Sequence, residues 1–559
     1  MQQFRTALAE RQTDPDGRTW VYVPYDQLTH QVGPLSRLAP EQAGIVCVEN
    51  PWKAGRRPYH KQKLALILAN QRQFALEQAG RGVAVRYEIA KGPYRDTLGP
   101  LAKELGGLSC MRPAERELRA DLEPLIDTGA LTIETHEGWL TGPEDLQRSH
   151  PKGPPYRMDR FYAQVRKRTG VLMEADGKPV GGKYSFDAEN RQSWNGDPAL
   201  PKLPRFRPDA ITEEVLELIE TRFARHPGRL DGTTLPTTRE HANRVWAWAR
   251  KECMEHFGPY QDAMTERSNN LFHTRVSTLM HIGRLLPARV VADVEQMDLP
   301  LSSKEGFIRQ VLGWREFVAR VHEATDGFRA LGKRSPEVDE RPGDAGWNRW
   351  AGESWAPKSA RRRSDGVDGG ARISALAATE PVPPALWGEE SGLRCLDKAV
   401  ADVWDEGYGH HITRLMVIAN LGTLLSISPR ELTDWFWCAY TDAFDWVVEP
   451  NVLGMGTYGV GELMTTKPYV SGAAYIDRMG DHCGTCAFHP KKTCPITRLY
   501  WSFLSRNEER LRGNVRVAMP LRSLAKRSGE QRELDERVYE HVRRTLADGE
   551  RLDPEEMPT

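Results

Sequence analysis

The sequence predicts two structural halves, an α/β N-terminal domain built on a parallel sheet and an all-α domain that follows it. Short apolar runs alternate with helical stretches over residues 1–140, a pattern typical of a parallel sheet covered by helices. Beyond residue 212 the strand patterns stop and helical periodicity takes over. At 559 residues the chain is also too long for a single hydrophobic core.

Five short apolar runs are the predicted strands: Trp20–Pro24, Ile45–Glu49, Val83–Tyr87, Leu108–Met111 and Leu131–Thr135. Helical stretches such as His60–Gln78 and Glu115–Ile126 lie between them. No GxGxxG follows the first run, so the dinucleotide-binding fingerprint is absent. Ligands of such sheets bind beyond the carboxyl ends of the strands, where Asp26 and Glu49 would lie. A solvated loop position explains either acid slightly better from spacing alone.

The remaining chain divides by composition and periodicity. Residues 141–211 are rich in Pro, Gly, Lys and Arg and are predicted to form an interdomain linker, and residues 536–559 a C-terminal tail. The predicted helical domain, residues 212–535, contains the helices Thr212–Arg225, Arg239–Glu255, Glu305–Glu323, His410–Leu425 and Pro429–Ala439. Within it, residues 327–384 are hydrophilic, contain ARRRSDGVDGGAR and are predicted to be a mobile surface insertion.

Composition excludes some classes of protein. Lys and Arg total 77, as do Asp and Glu, so the net charge is zero, which argues against coating nucleic acid by bulk charge but allows a local basic patch. No apolar run is long enough to span a bilayer, and the polar N-terminus is not a secretory signal. We expect a cytoplasmic chain with reduced cysteines.

Three cysteines form the motif CxxC-x7-C in the loop DHCGTCAFHPKKTCP: Cys483, Cys486 and Cys494. Thiols this close favour metal ligation. Tetrahedral zinc is the commonest arrangement, with His482 or His489 as a nitrogen ligand. An iron–sulfur cluster with a distant fourth cysteine is the second interpretation, and a disulfide is disfavoured in an intracellular chain.

Three segments of the helical half carry polar groups that core packing alone does not require. FHTRVSTLMHIGRLLP has hydroxyls, including Ser277, at a helix start, which suit a phosphate, although an ordinary helix cap is the simpler explanation. FIRQVLGWREF carries Gln310, Trp314 and Arg315, with core packing as the default interpretation. GYGHHITRLMVIANLG places two histidines and Arg414 on an apolar helix, and Asp442 is the expected partner of the arginine.

Taken in order, these segments resemble the bacterial photolyases and cryptochromes of the iron–sulfur class, also called photolyase-related proteins. The resemblance covers nearly the whole chain. It also includes YDQL, HKQK, FYAQVRKRTGVLM, GGKYSFDAENR, FGPYQDAM, PNVLGM and TKPY.

The resemblance implies a photolyase/cryptochrome fold with three cofactors. The N-terminal half would be a Rossmann-like antenna domain holding 6,7-dimethyl-8-ribityllumazine near Asp26 and Glu49. The helical half would hold folded FAD, with Arg414 and Asp442 forming an ion pair over its ring. The other residues assigned to cofactor binding are Tyr260, Thr274, Arg275, Val276, Ser277, Gln310 and Arg315. Cys395 would join Cys483, Cys486 and Cys494 to hold a 4Fe–4S cluster.

The implied function is light-driven repair of UV-damaged DNA, specifically of the (6-4) pyrimidine photoproduct, by a cytoplasmic monomer that joins the nucleoid when on DNA and contacts no membrane. His411 would be the proton donor and His410 would position it, because a histidine titrates near neutral pH. Tyr469, Gln310 and Trp314 would contact the flipped lesion, and Trp387 and Trp435 would relay electrons. The alternatives are a blue-light receptor with the same cofactors, and a zinc-stabilised nucleic-acid-binding protein without flavin.

The chain departs from the family pattern at several positions. Phe436 stands where a tyrosine is expected, which alters the predicted electron relay. Val448 replaces a polar residue near the flavin, and Glu449 is a possible substitute. The basic stretch from Arg498 to Arg527 is the candidate for contact with the DNA backbone, although a solvated helix face explains it nearly as well.

Overall fold

A computed structural model describes residues 1–331 and 370–559. Its sheet has five strands, β1 (Thr19–Tyr22), β2 (Ala43–Glu49), β3 (Ala84–Ile89), β4 (Leu108–Met111) and β5 (Leu131–Glu134). They are all parallel, in the order β3-β2-β1-β4-β5. The predicted α/β fold class is therefore confirmed, with each strand within two residues of its expected ends.

The sheet order places a crevice beside the first strand. β1 pairs with β2 on one side, Thr19 opposite Ala43, and with β4 on the other, Val21 opposite Ser109. The connections from β1 and from β4 run to opposite sides of the sheet. This leaves a crevice beyond the carboxyl ends of β1 and β4, the place where such sheets bind ligands. β2 is buried along its whole length, as expected for a central strand of a parallel sheet.

Helices cover the sheet and fill the segment that the sequence predicts as a linker. Up to residue 169 they are Gln2–Ala9, Pro51–Ala54, Lys61–Ala79, Tyr94–Leu105, Arg116–Asp127, Pro143–Ser149 and Met158–Thr169. The last two lie inside the predicted linker, residues 141–211, and Phe161 and Val165 are fully buried. This segment is therefore partly core. The sequence does not reveal this, because the charged residues of the amphipathic helix obscure the positions that it buries.

The second half is helical, as predicted. Its α-helices are Ala210–Arg222, Arg239–Trp248, Met254–Phe257, Ser277–His281, Pro287–Gln296, Leu301–Ile308, Glu316–Ala324, Arg394–Glu406, His411–Thr413, Asn420–Leu424, Pro429–Ala439, Asp445–Val448, Ala473–Met479, Ile496–Arg506, Glu508–Leu511, Ala518–Leu524 and Gly529–Ala547. Three predicted long helices are interrupted by π-helical turns, Ala249–Cys253, Arg309–Arg315 and Arg414–Ala419. Such turns re-aim side chains and often occur at functional sites.

Two predicted boundaries are wrong. The helix Gly529–Ala547 runs through the expected start of a tail at residue 536 and buries Val538 and Val542 against the helix Ile496–Arg506. Most of the predicted mobile insertion, residues 332–369, lies outside the described residues. Its described flanks belong to the core, because Phe328 and Ile373 are buried. Over the described ranges, no helix combines the length and apolar character that crossing a membrane requires.

Candidate functional site

A cavity of about 720 Å³ lies between the helical half and the helix Lys61–Ala79. Its walls include Arg275, Ser277, Glu406, Tyr408 and Thr441. Further wall residues come from the predicted linker, at positions 203, 204 and 206, and from positions 62 and 66 of the helix. The cavity is large enough for a cofactor, and both halves of the chain build it, whereas the sequence places the flavin in the helical half alone.

Arg275 supplies fixed positive charge to this cavity. Its guanidinium donates to Asn269 and Asn270 at 2.6 and 2.9 Å, pairs with Glu406 at 2.6 Å and lies 4.0 Å from the ring centre of Tyr408. Because these contacts hold the side chain in place, the cation is preorganised to meet an anionic group such as a phosphate.

The five residues predicted to hold phosphates separate in the structure. Arg275 and Ser277 line the cavity. Thr274 and Val276 are buried beside it and are not part of its lining. Tyr260 packs against Phe272, with 5.4 Å between ring centres, and donates to the carbonyl of residue 197. The motif assigned the contiguous run from Thr274 to Ser277, but only two of its four residues face the cavity.

An ion pair lies behind the cavity wall and is joined to it through Ser277. Arg414 Nη1 and Nη2 lie 2.9 and 3.0 Å from the two carboxylate oxygens of Asp442, so the sequence-predicted pairing is confirmed. Ser277 also donates to Asp442, at 2.8 Å, and the Tyr440 ring lies 4.0 Å from the guanidinium. Burial alone would raise the pKa of Asp442, but Arg414 outweighs it and the pKa is lowered.

Three histidines cluster beside this ion pair: His273, His410 and His411. The rings of His273 and His410 stack with centres 4.5 Å apart and planes 7° apart, and His411 meets His273 edge-on at 5.3 Å. Sequence reasoning did not assign His273 to the site. Its position directly before Thr274, which was assigned, was the only signal in the sequence.

The two predicted histidines differ in environment. His410 is buried, and neither of its ring nitrogens has a hydrogen-bond partner among the described residues. Burial, and secondly the charge of the neighbouring His273, lower the pKa of His410 well below its usual value. The side chain of His411 is 40% exposed, and its Nε2 lies 3.4 Å from Asp262 Oδ1. His410 is therefore neutral and inaccessible, while His411 can meet a ligand.

Aromatic rings form a continuous series from this ion pair towards the surface. Tyr440 contacts Trp435 at 6.1 Å, Trp435 contacts Trp404 at 5.9 Å, and Trp404 stacks on Trp387 at 5.4 Å. The indole N–H groups of Trp404 and Trp435 both donate to the Leu386 carbonyl, at 3.0 and 2.9 Å. The sequence singled out Trp387 and Trp435 but missed Trp404, which lies between them.

Four cysteines line one small cavity of about 310 Å³: Cys395, Cys483, Cys486 and Cys494. The fold therefore brings the distant Cys395 to the three-cysteine loop. None of these four cysteines forms a disulfide in the described part of the chain. Burial first, and then the neighbouring thiols, raise the pKa of Cys395 well above its usual value. His482 also lines this cavity.

A second large cavity, of about 730 Å³, opens at the carboxyl end of β2. Glu49 lines it but is already occupied, accepting two hydrogen bonds from Arg72 at 3.1 Å and one from Tyr87. Lys53 and Glu115, which form a buried ion pair with each other, contribute further polar groups to the wall. Sequence reasoning missed both, because they follow different strands.

Asp26 does not share this cavity. It lines a separate one of about 380 Å³ at the β1–β4 crevice, together with Arg315, His281 and Trp446. Burial raises the pKa of Asp26 to about 6, and its Oδ1 has no hydrogen-bond partner within the described chain. Asp26 and Glu49 therefore line different cavities of the structure. Arg315, predicted to bind the same cofactor as Arg414, lies at this smaller cavity instead.

Four other positions singled out in the sequence, Tyr469, Gln310, Trp314 and Glu449, do not line the large cavity. Tyr469 is half-buried, and burial raises its pKa. Gln310 is half-buried on the π-helical turn Arg309–Arg315, where Trp314 packs on Phe317. Glu449 cannot substitute for a polar residue at Val448, because His322 and Arg430 already bind it at 2.8 and 2.7 Å.

Comparison with known proteins gives the chain its family. The family described as "Deoxyribodipyrimidine photo-lyase-related protein" matches residues 21–235. A protein of Agrobacterium fabrum named (6-4) photolyase is 30% identical over 528 residues, 91% of this chain and 95% of that protein. The chain therefore belongs to the photolyase/cryptochrome family, among its photolyase-related members.

Solved structures share the fold at low sequence identity. A bacterial class III photolyase from Agrobacterium tumefaciens has a TM-score of 0.51 at 15% identity, covering 95% of this chain and 97% of that one. A cryptochrome of Synechocystis has a TM-score of 0.50 at 15% identity, covering 78% and 82%. The predicted photolyase/cryptochrome fold is thus confirmed, and both photolyases and cryptochromes adopt it.

Proposed function

We propose that this protein is a light-driven DNA repair enzyme that acts on (6-4) photoproducts in UV-damaged DNA. One observation supports the proposal most strongly. The segment from Gly407 to Gly422 carries both Arg414, whose partner Asp442 is bonded to the cavity wall at Ser277, and the half-exposed His411. A proton donor thus lies within one helical turn of the proposed cofactor site.

The donor set of the cavity beside Arg414 and Asp442 suits FAD. Arg275 and Ser277 would hold its phosphates, and Arg414 with Asp442 would lie at its ring. Bound FAD supplies absorption of blue light and the electron that splits the lesion. The protein's part is to bind and orient the cofactor.

The histidine cluster would provide the proton transfer that (6-4) repair requires, because a hydroxyl must move from one base to the other. A flipped lesion would reach His411 from the exposed side. Nδ1, the ring nitrogen that does not face Asp262, would give a proton to the departing hydroxyl and take it back once the oxygen has joined the other base. Asp262 would orient that ring, while the neutral stack of His273 and His410 would fill the space behind it. Flipping costs less for a damaged pair, which stacks poorly.

The aromatic series would carry electrons towards the flavin cavity. We include Trp404 with Trp387 and Trp435, because it fills the gap between them. Tyr440, adjacent to Arg414, would take the place of the tyrosine that Phe436 replaces.

The four cysteines would hold a 4Fe–4S cluster. An iron–sulfur cluster takes four thiolates and tolerates a distant fourth cysteine, and Cys395 joins the three-cysteine loop here. We expect iron and sulfide in the purified protein, and Cys486→Ala to lose both and to be poorly soluble, since the cluster joins Cys395 to the C-terminal loop. Zinc in the purified protein, without iron, would contradict the cluster and favour a zinc site.

The cavity at β2 would hold the lumazine antenna.

Repair itself is tested with oligonucleotides that carry a (6-4) photoproduct or a cyclobutane dimer. We expect blue light to restore the (6-4) substrate, and His411→Ala to abolish repair with flavin content unchanged. Preference for the cyclobutane dimer would correct the lesion assignment. A flavin-loaded protein that repairs neither substrate would favour the blue-light receptor.

A further inference from the structure

A solvent-exposed apolar pair projects from the basic segment near the C-terminal end of the helical half. Val515 is 83% exposed and Met519 is 72% exposed. In the described part of the chain, one other large hydrophobic side chain is exposed, Ile126 at 38%. Two of the three therefore stand four residues apart in one short segment.

The segment is held firmly from beneath. The side-chain amide of Asn514 donates to Glu462 at 2.8 Å and to the carbonyl of Thr466 at 2.9 Å. Leu511 and Val517 are buried on either side of Val515. The backbone of this segment is therefore anchored, while the side chains of Val515 and Met519 extend into solvent.

Unpaired cations surround the pair: Arg510, Arg512, Arg516, Arg522 and Lys526. All five are exposed, and among the described residues none forms an ion pair. The rest of the basic stretch behaves differently, because Arg498 and Arg527 are both bound to Asp535. The positive charge available for a polyanion is thus concentrated around Val515 and Met519.

Short contacts connect this segment to the histidine cluster. Asn514 binds the carbonyl of Thr466, three residues before Tyr469, and the charge of Arg516 acts on Tyr469. Arg191 acts on the same tyrosine and lies 4.0 Å from Asp262, which contacts His411. The segment that carries the apolar pair is therefore linked to Tyr469 and, through Arg191 and Asp262, to His411.

We infer that Val515 and Met519 form a wedge that enters duplex DNA and fills the space left when the damaged bases flip out. This inference rests on the proposed function. Apolar side chains inserted between base steps hold a duplex open elsewhere, and flanking arginines fix the phosphates. A gap of two bases left empty would otherwise collapse and draw the lesion back into the stack.

The test uses the flavin-loaded protein and three probes: a (6-4) duplex, the same damaged strand alone, and the undamaged duplex. We expect the double variant Val515→Ser with Met519→Ser to bind the damaged duplex about tenfold more weakly. Binding and repair of the single strand should not change, since it needs no wedge. Ile126→Ser is the matched control, because it removes an exposed apolar side chain far from the basic segment. It should leave all three affinities unchanged.

A second variant pair separates charge from insertion. Arg512→Gln with Arg516→Gln should weaken binding of all three probes and reduce its salt dependence, by a slope of roughly 0.9 for each phosphate that the variant no longer neutralises. Equal binding of the damaged duplex by the wild type and the serine variant would overturn the wedge, as would equal weakening on duplex and single strand. If the wild type binds none of the probes, the proposed function fails too, and that result is distinguishable from failure of the wedge alone.

Discussion

The two large cavities have nearly equal volumes but are built in different ways. The proposed flavin cavity, about 720 Å³, draws its polar groups mainly from Arg275–Ser277 and from Glu406 to Thr441. The proposed antenna cavity, about 730 Å³, takes its polar groups from the ends of several strands and helices, including Glu49, Lys53 and Glu115. The helix Lys61–Ala79 forms a wall of both cavities, so they are neighbours. Short sequence motifs supply most polar groups of the first cavity, whereas no single motif supplies those of the second.

The largest expected effect is on the flavin cavity alone. Arg414→Ala leaves Asp442 buried and unpaired, and breaking such a pair costs about 3–5 kcal/mol. We expect the purified variant to lack FAD by its absorption spectrum while keeping the second chromophore. The exposed variant Arg522→Ala is the control and should keep both. Normal FAD content in Arg414→Ala would mean that the ion pair does not form the cofactor site.

A converse change addresses the antenna cavity. Leu68 is a half-buried wall residue on the shared helix, and Leu68→Trp would fill space that a ligand needs. The protein should lose the antenna chromophore and keep FAD, measured by extraction and chromatography. Leu76→Trp, on the same helix but away from both cavities, should keep both. Loss of FAD from Leu68→Trp would show that the two cavities are not independent.

The smaller cavity at the β1–β4 crevice, which Asp26 lines, predicts a pH-dependent effect on stability. Asp26 has a pKa of about 6 when folded, against 3.8 as its ordinary value. Below pH 3.8 the group is protonated in both states. As the pH rises from about 4 to 6 the unfolded state ionises first, so the folded state loses up to about 3 kcal/mol of stability.

Asp26→Asn should therefore be more stable than the wild type at pH 8, with a higher melting temperature, and the difference should vanish near pH 4. Asp16→Asn, at an exposed position, should change neither value. A pH-independent gain in Asp26→Asn would assign the effect to packing rather than to the buried charge.

The smallest expected effect concerns the aromatic series, which reaches the flavin cavity but not the antenna cavity. Trp404→Phe keeps a ring between Trp387 and Trp435 but removes the indole that passes on an electron readily. We expect photoreduction of bound FAD to slow, with repair by chemically reduced enzyme unchanged. Tyr500→Phe, an aromatic change outside the series, is the control. Unchanged photoreduction in Trp404→Phe would remove this residue from the route.

Much of the fold could be predicted because its signals are local. Each strand is a short apolar run bounded by polar residues, and the pairing of Arg414 with Asp442 follows from the cost of burying an isolated charge. The helix Met158–Thr169 was missed, because its charged exposed face conceals the positions that it buries. The helix Gly529–Ala547 was cut short for the same reason.

The candidate site divides in the same way. Contiguous motifs identified His410, His411 and the cysteine loop, whereas His273, Asp262 and Trp404 are recognisable only from what lies beside them. The sequence also joined Asp26 and Glu49 to one ligand, because both follow strands. The structure separates them, since β1 and β2 open on different sides of the crevice.

The amino-acid order by itself determined the two-part architecture, the cysteine loop and the need of Arg414 for an acidic partner. These depend on hydrophobic periodicity and on charge, which act over a few residues or require only that a partner exist. Tertiary structure alone decided which histidine is exposed, which cations stay unpaired around Val515 and which residues share a cavity. Burial and distance set those properties, and both arise only when segments far apart in the chain are packed together.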